Sequence, residues 1–91
     1  MNKADLVFRL CDATGVAAST VSRIVDELTR QVSESLKAGD TLTIRGFGSF
    51  RPVHRTARVL RTPDGSQVFI PARVTPVFKA SDQLVKHINN K

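Results

Sequence analysis

The spacing of apolar residues changes near residue 41 from a helical period to a strand period, and returns to a helical one after Ser81. Val21, Ile24, Val25, Leu28, Val32 and Leu36 fall on one continuous helical stripe, the strongest local pattern present. Lys37 and Gly39 mark its end, and Ser19 is the best capping residue for its start. An earlier helix is predicted over about residues 3–13, with Leu6, Val7 and Leu10 as its stripe and Cys11 and Ala13 at the flanks. Asn2 can cap it, Asp5 three residues on completes a capping-box-like pair, and Gly15 lies just past its end.

From Thr41 the period is two: Leu42 and Ile44 alternate with Thr41, Thr43 and Arg45, as in a half-buried strand. Gly46 and Gly48 around Phe47 predict a tight turn, followed by strands over residues 49–59 and 68–74. Pro71 confines the latter to an edge or a bulge, and Pro52 predicts a bulge in the former. Ser81 caps a last short helix carrying Leu84, Val85 and Ile88. The expected order is ααβββα, an α+β class, without repeats or low-complexity linkers.

A 91-residue chain is a single small domain, residues 1–91, and buries only about 60–65 % of the surface its unfolded form exposes. One cysteine excludes an internal disulfide, and Cys11, His54 and His87 form no metal-ligand cluster, so no metal or cofactor is expected. Self-association is the remaining remedy. Cys11 reads as a small packed side chain. The N-terminus MNKADLVFRLCDA lacks the regions of a signal peptide and no run reaches 18 apolar residues, so a soluble, intracellular chain without a membrane partner is expected.

The net charge of +6 points to a polyanionic partner, and its placement sharpens that reading. Residues 1–44 carry five basic side chains against six acidic ones. Residues 45–79 carry seven, Arg45, Arg51, Arg55, Arg58, Arg61, Arg73 and Lys79, against Asp64 alone. The last stretch, 80–91, adds a net +1. Such asymmetry is the footprint of a binding surface in the middle of the chain.

Arg55, Arg58 and Arg61 recur at steps of three before Pro63. On a helix they would stack as like charges with no acid within the segment, and Pro52 and Pro63 flank it. On a strand, steps of three alternate faces, so Arg55 and Arg61 point one way and Arg58 the other. A strand packed on its own core cannot carry long cations on both sides. The segment therefore predicts a free two-stranded ribbon that leaves the body, with residues 68–74 returning. A nucleic-acid groove admits such a ribbon and offers phosphates on both flanks. Pro63-Asp64-Gly65 is an ordinary turn signature; its sharper reading is an apolar wedge, Pro63, at the ribbon tip.

GFGSF followed by Arg55, Arg58, Arg61 and Pro63 at these intervals resembles the signature of the bacterial HU and integration host factor (IHF) family. The segments MNKADLV, LKAGDTLTI and PVFKAS extend the resemblance over nearly the whole chain. It implies an intertwined dimer, identical or mixed, with a helical body, a β-sheet saddle and two ribbon arms that bend double-stranded DNA from the minor groove. Residues 1–44 would be the mainly helical dimerisation part, 45–79 the saddle and arm, and 80–91 the C-terminal helix. Phe47, Phe50 and Phe78 would fill the dimer core. Arg55, Arg58 and Arg61 would line the arm, Pro63 would insert between base pairs, and Lys3 and Lys79 would touch backbone beside the bend. Arg45, Arg51 and Arg73 would add to the saddle or arm. The resemblance also implies a cytoplasmic, nucleoid-associated place and an architectural role with little sequence preference.

The chain departs from the family pattern in places. Its tip, TPDGSQVF, is about one residue shorter and lacks the customary lysine. Asp64 sets a negative charge beside the wedge, and Asp82 and Val85 stand where many HU proteins carry lysines. These departures predict weaker contacts at the tip and flank. IRGFGSF, with Arg45, is more similar to the IHF beta subunit, whereas Thr43, the shorter tip and MNKADLV favour HU; the balance falls to the HU-like branch, with a sequence-selective IHF-like subunit as the alternative. Charge alone would also permit a basic RNA-binding protein. Catalysis is not expected, because His54 and His87 have no carboxylate or cysteine partner nearby in sequence.

Overall fold

The computed structural model describes residues 1–90 and divides the chain into two compact units, Met1–Glu34 and the part from Ser35 onward. The first unit holds helix α1, Lys3–Thr14, and most of helix α2, Ala18–Lys37. The capping box forms as its residues predict: Asp5 N–H donates to Asn2 Oδ1 at 2.9 Å, and Asn2 N–H donates to Asp5 Oδ2 at 3.2 Å. Gly15, at φ 72, ends α1 and returns its N–H to the Cys11 carbonyl at 2.8 Å. Helix α2 starts at Ala18, so Ser19 lies inside its first turn rather than capping it.

Val7 of α1 and Val21 of α2 are the buried apolar side chains among the described residues. The long stripe of α2 is formed but only partly covered: Val21 is buried and Val25, Val32 and Leu36 are half-buried, whereas Ile24 is 60 % exposed and Leu28 50 %. Hydrophobic periodicity identifies the apolar face, while coverage needs a further surface.

The second unit contains strands β1 (Leu42–Ile44), β2 (Gly48–Arg55), β3 (Arg58–Arg61), β4 (Gln67–Ile70) and β5 (Arg73–Ala80), then helix α3, Asp82–Asn89. They make two antiparallel sheets, β1-β2-β5 and β3-β4. The two long strands expected from the sequence are thus each broken, at Thr56-Ala57 and at Pro71-Ala72. Proline accounts for the second break by withholding an N–H and fixing its backbone.

The expected bulge at Pro52 is absent: β2 and β5 run in unbroken register from Gly48 opposite Ala80 to Arg55 opposite Arg73, with Pro52 directly opposite Pro76. Residues in a hydrogen-bonded pair exchange N–H bonds, which proline cannot give, so this pair takes the narrow, non-bonded position. Phe50 and Phe78, two places along, are opposite as well, with ring centroids 4.9 Å apart, and Phe47 joins Phe78 at 5.3 Å. Gly48 has no room for a side chain, since a Cβ there would lie 2.5 Å from the Lys79 carbonyl oxygen and 2.6 Å from the Phe78 ring. Ser81 caps α3 through its hydroxyl, which accepts from Leu84 N–H at 3.1 Å.

Candidate nucleic-acid interface

Alternation along paired strands fixes which side chains share a face. In β2 and β5, Arg51, Arg55, Arg73 and Lys79 fall on one face, with Ser49, Val53, Thr75 and Val77 between them. Phe50 and Phe78 fall on the other, together with Pro52, Pro76 and His54. The sheet therefore separates an aromatic side from a cationic one. Arg55 and Arg73 stand directly opposite each other, an unfavourable like-charge pair unless an anion lies between them. With Arg58, Thr56, Thr75 and His54 they line a cleft where the sheet gives way to the ribbon.

The ribbon β3-β4 pairs Arg58 with Ile70, Val59 with Phe69, Leu60 with Val68 and Arg61 with Gln67. Arg58 and Arg61 consequently point to opposite faces, as their spacing predicts. Arg55 belongs to the other sheet, across the break at Thr56-Ala57, so the three arginines do not form one continuous strand. Every residue of β3 is exposed, and Phe69 of β4 is 66 % exposed.

At the tip, Gly65 N–H donates to the Thr62 carbonyl at 3.0 Å and Thr62 N–H donates to the Ser66 carbonyl at 2.9 Å. Gly65 has φ 88, whereas no residue other than glycine has positive φ among those described. Pro63 and Asp64 thus take the central places of a type I turn, and Gly65 supplies the left-handed residue that closes a three-residue hairpin loop. Pro63 is exposed at its outer corner. Asp64 does more than carry charge: its Oδ1 accepts from the Thr62 hydroxyl and from Ser66 N–H, the latter at 2.9 Å. The Thr62 hydroxyl, followed by Ser66 N–H, holds the Asp64 carboxyl at about 2, below its usual 3.8. Thr62 and Ser66 were not singled out as functional residues from the sequence. Their signal was the Asp-Gly-Ser run, in which an aspartate commonly bonds backbone two residues on.

Arg45 occupies the β1–β2 turn, where Gly46 has φ 79 and Phe47 N–H donates to the Ile44 carbonyl at 3.0 Å. Arg45 and Lys79 line a second cleft with Ser81 and Asp82, beside the first turn of α3. Lys3 lies in the first unit, ion-paired with Asp26. The other ion pair among the described residues is Arg30–Glu27, so none involves the cations of residues 45–79. Likewise, no group of three His, Cys, Asp or Glu among the described residues is arranged to hold a metal ion. No helix there is long and apolar enough to cross a membrane.

The sequence profile described as "Bacterial DNA-binding protein" matches residues 1–89. DNA-binding protein HU-beta of Serratia marcescens is 36 % identical over 90 residues, covering 98 % of this chain and 100 % of the relative. Integration host factor subunit beta of Vibrio parahaemolyticus is 35 % identical over 91 residues, covering 98 % of each. The Anabaena HU–DNA cocrystal structure matches with a TM-score of 0.90 at 28 % identity, covering 100 % of both chains. The chain belongs to the family of bacterial DNA-binding proteins that includes HU and integration host factor.

Proposed function

We propose that this chain is an HU-like architectural protein that binds and bends double-stranded DNA as a dimer, with its ribbons in the minor groove. The observation that carries the reading is the face of unpaired cations, Arg51, Arg55, Arg73 and Lys79, that leads into an exposed ribbon ending at Pro63. Arginines aimed at phosphates release condensed counterions and give affinity with little sequence information. Arg55, Arg58 and Arg61 contact the groove and its phosphates; Lys3, Arg45 and Lys79 contact backbone beside the bend. Pro63 inserts between base pairs, where unstacking costs a few kcal/mol and is offset by the protein surface that bent DNA can reach, as is known for HU and IHF themselves. The resulting activity condenses DNA in the bacterial nucleoid, within the cytoplasm, and involves no catalysis.

The dimer rests on the uncovered part of the α2 stripe, Ile24 and Leu28, and on Phe47 and Phe78, which are 43 % and 42 % exposed. Together with Phe50 they supply the aromatic core between subunits. Sedimentation equilibrium tests this part, and a stable folded monomer would remove it.

A bending assay on linear, nicked and four-way DNA across salt concentrations tests the whole reading. Binding weakens steeply with added salt, and Pro63→Ala lowers the bend angle more than the affinity. Salt-insensitive binding, or an unchanged bend in the variant, counts against it. The 35 % identity to an IHF beta subunit favours sequence-selective binding as the second reading. Footprints on random DNA separate the two, discrete protected sites supporting the IHF-like one.

A further inference from the structure

Asp64 is the one acid among residues 45–79 and it adjoins the proline at the ribbon tip. An anion is the least suitable group to bring to a polyanion, unless it meets a hydrogen-bond donor there. Its position is also held, because the Thr62 hydroxyl and Ser66 N–H both donate to Oδ1, and neither bond uses Oδ2. The group stays ionised wherever DNA is a duplex, and an ionised carboxylate can only accept.

The minor groove presents a simple code to such a group. A·T pairs show only acceptors, adenine N3 and thymine O2, whereas a G·C pair adds the guanine 2-amino group, the groove's one donor. A·T tracts also narrow the groove and strengthen its negative potential. An anionic acceptor is therefore repelled by A·T pairs and has a partner at G·C pairs.

We infer that Asp64 is a specificity-determining residue of the ribbon tip, its second carboxylate oxygen favouring base steps that carry a guanine 2-amino group and rejecting A·T tracts. The inference rests on the reading above that Pro63 enters the minor groove. Asp64→Asn separates this role from a merely structural one. The asparagine Oδ1 can still accept from Thr62 and Ser66, so the turn is retained. The other oxygen becomes an amide donor, which suits adenine N3 and thymine O2. The preference then falls or reverses, while the tip conformation persists.

The test uses the full chain and duplexes of a single sequence in which the 2-amino group is moved. Inosine in place of guanine removes it, and 2,6-diaminopurine in place of adenine adds it; the major-groove edges stay the same. Both swaps also alter DNA stiffness, but identically for the two proteins. The quantity read is therefore the preference for amine-bearing over amine-free duplex, wild type relative to Asp64→Asn, in affinity and in bend angle. A ratio of about fivefold or more is expected from one good base contact. Equal preferences in two proteins that both bend DNA overturn the inference and leave the wedge intact. Absence of bending on every duplex overturns the wedge, and the inference with it.

Discussion

Arg30 and Arg55 are both exposed arginines in the same chain, yet their surroundings differ in kind. On α2, Arg30 donates from Nε to Glu27 Oε2 at 3.0 Å and from Nη2 to Glu27 Oε1 at 2.5 Å. The hydrogen bond from Arg30, then that from Gln31, holds the Glu27 carboxyl at about 2, below its usual 4.5. In the sheet, Arg55 faces Arg73, and no ion pair among the described residues relieves either. In the helical region Lys3 and Arg30 are each paired with an acid, whereas the strand region sets Arg55 directly against Arg73 and pairs neither. That difference locates binding better than the net charge does, because a surface that leaves its cations unpaired gains most from an outside anion.

The largest test removes the strand cations. Alanine at Arg55, Arg58 and Arg61 together lowers DNA affinity on the order of a hundredfold at low salt and, with six cations removed from the proposed dimer, flattens the log–log salt slope by about 5. Arg30→Ala changes neither. Anisotropy titrations over a salt series read both, and equal losses in the two variants would break the comparison.

Next comes the scaffold beneath the cationic face. Gly48→Ala forces a methyl against the Lys79 carbonyl and the Phe78 ring, an overpacking cost of about 1–3 kcal/mol. Calorimetry should show Tm falling by several degrees. Asn2→Ala, at the cap of α1, costs about 1 kcal/mol by thermal unfolding. It tests the helical side alone, where DNA affinity is expected to hold if the charge comparison is right.

The smallest effect is local and concerns the ribbon tip. The Asp64 carboxyl is lowered on folding, so its contribution is fully present above 3.8 and is lost as pH falls toward about 2. Protection of the Ser66 amide against exchange should follow that window, and flat protection down to pH 2 would show that the carboxylate does not hold the turn.

Much of this was legible in the sequence where a single side chain decides a local outcome. Asn2 with Asp5, Ser81 before α3, and Pro63-Asp64-Gly65 each specify a short hydrogen-bonded feature, and each forms. A cap at Ser19 would start α2 at Thr20, two residues after the Ala18 start that forms, because Ser19 is a good cap by type and helical entry depends on more than type. The strand breaks were missed for a different reason. Residues 49–59 and 68–74 have strand-forming composition throughout, and a pause such as Thr56-Ala57 is set by where two sheets diverge, not by propensity. Pro52 on its own strand suggests a bulge; its tolerance comes from falling at a non-hydrogen-bonded position of the ladder, which only the register reveals. The cationic face emerged in the same way. Arg51 and Arg55 share a face by spacing, but Arg73 and Lys79 join them through pairing between distant segments.

That facing proline pair has one more consequence. In the narrow position both ring nitrogens point outward, away from the partner strand. Beyond Phe50, β2 is no longer flanked by β1, and β5 is the last strand of its sheet. A stray strand that tried to extend either border would therefore find no N–H at Pro52 or at Pro76. Open borders of this kind are where sheets recruit further chains into fibres, and prolines on them are a known deterrent. The two opposed prolines thus leave the open borders of β2 and β5 without a donor at the same level of the sheet.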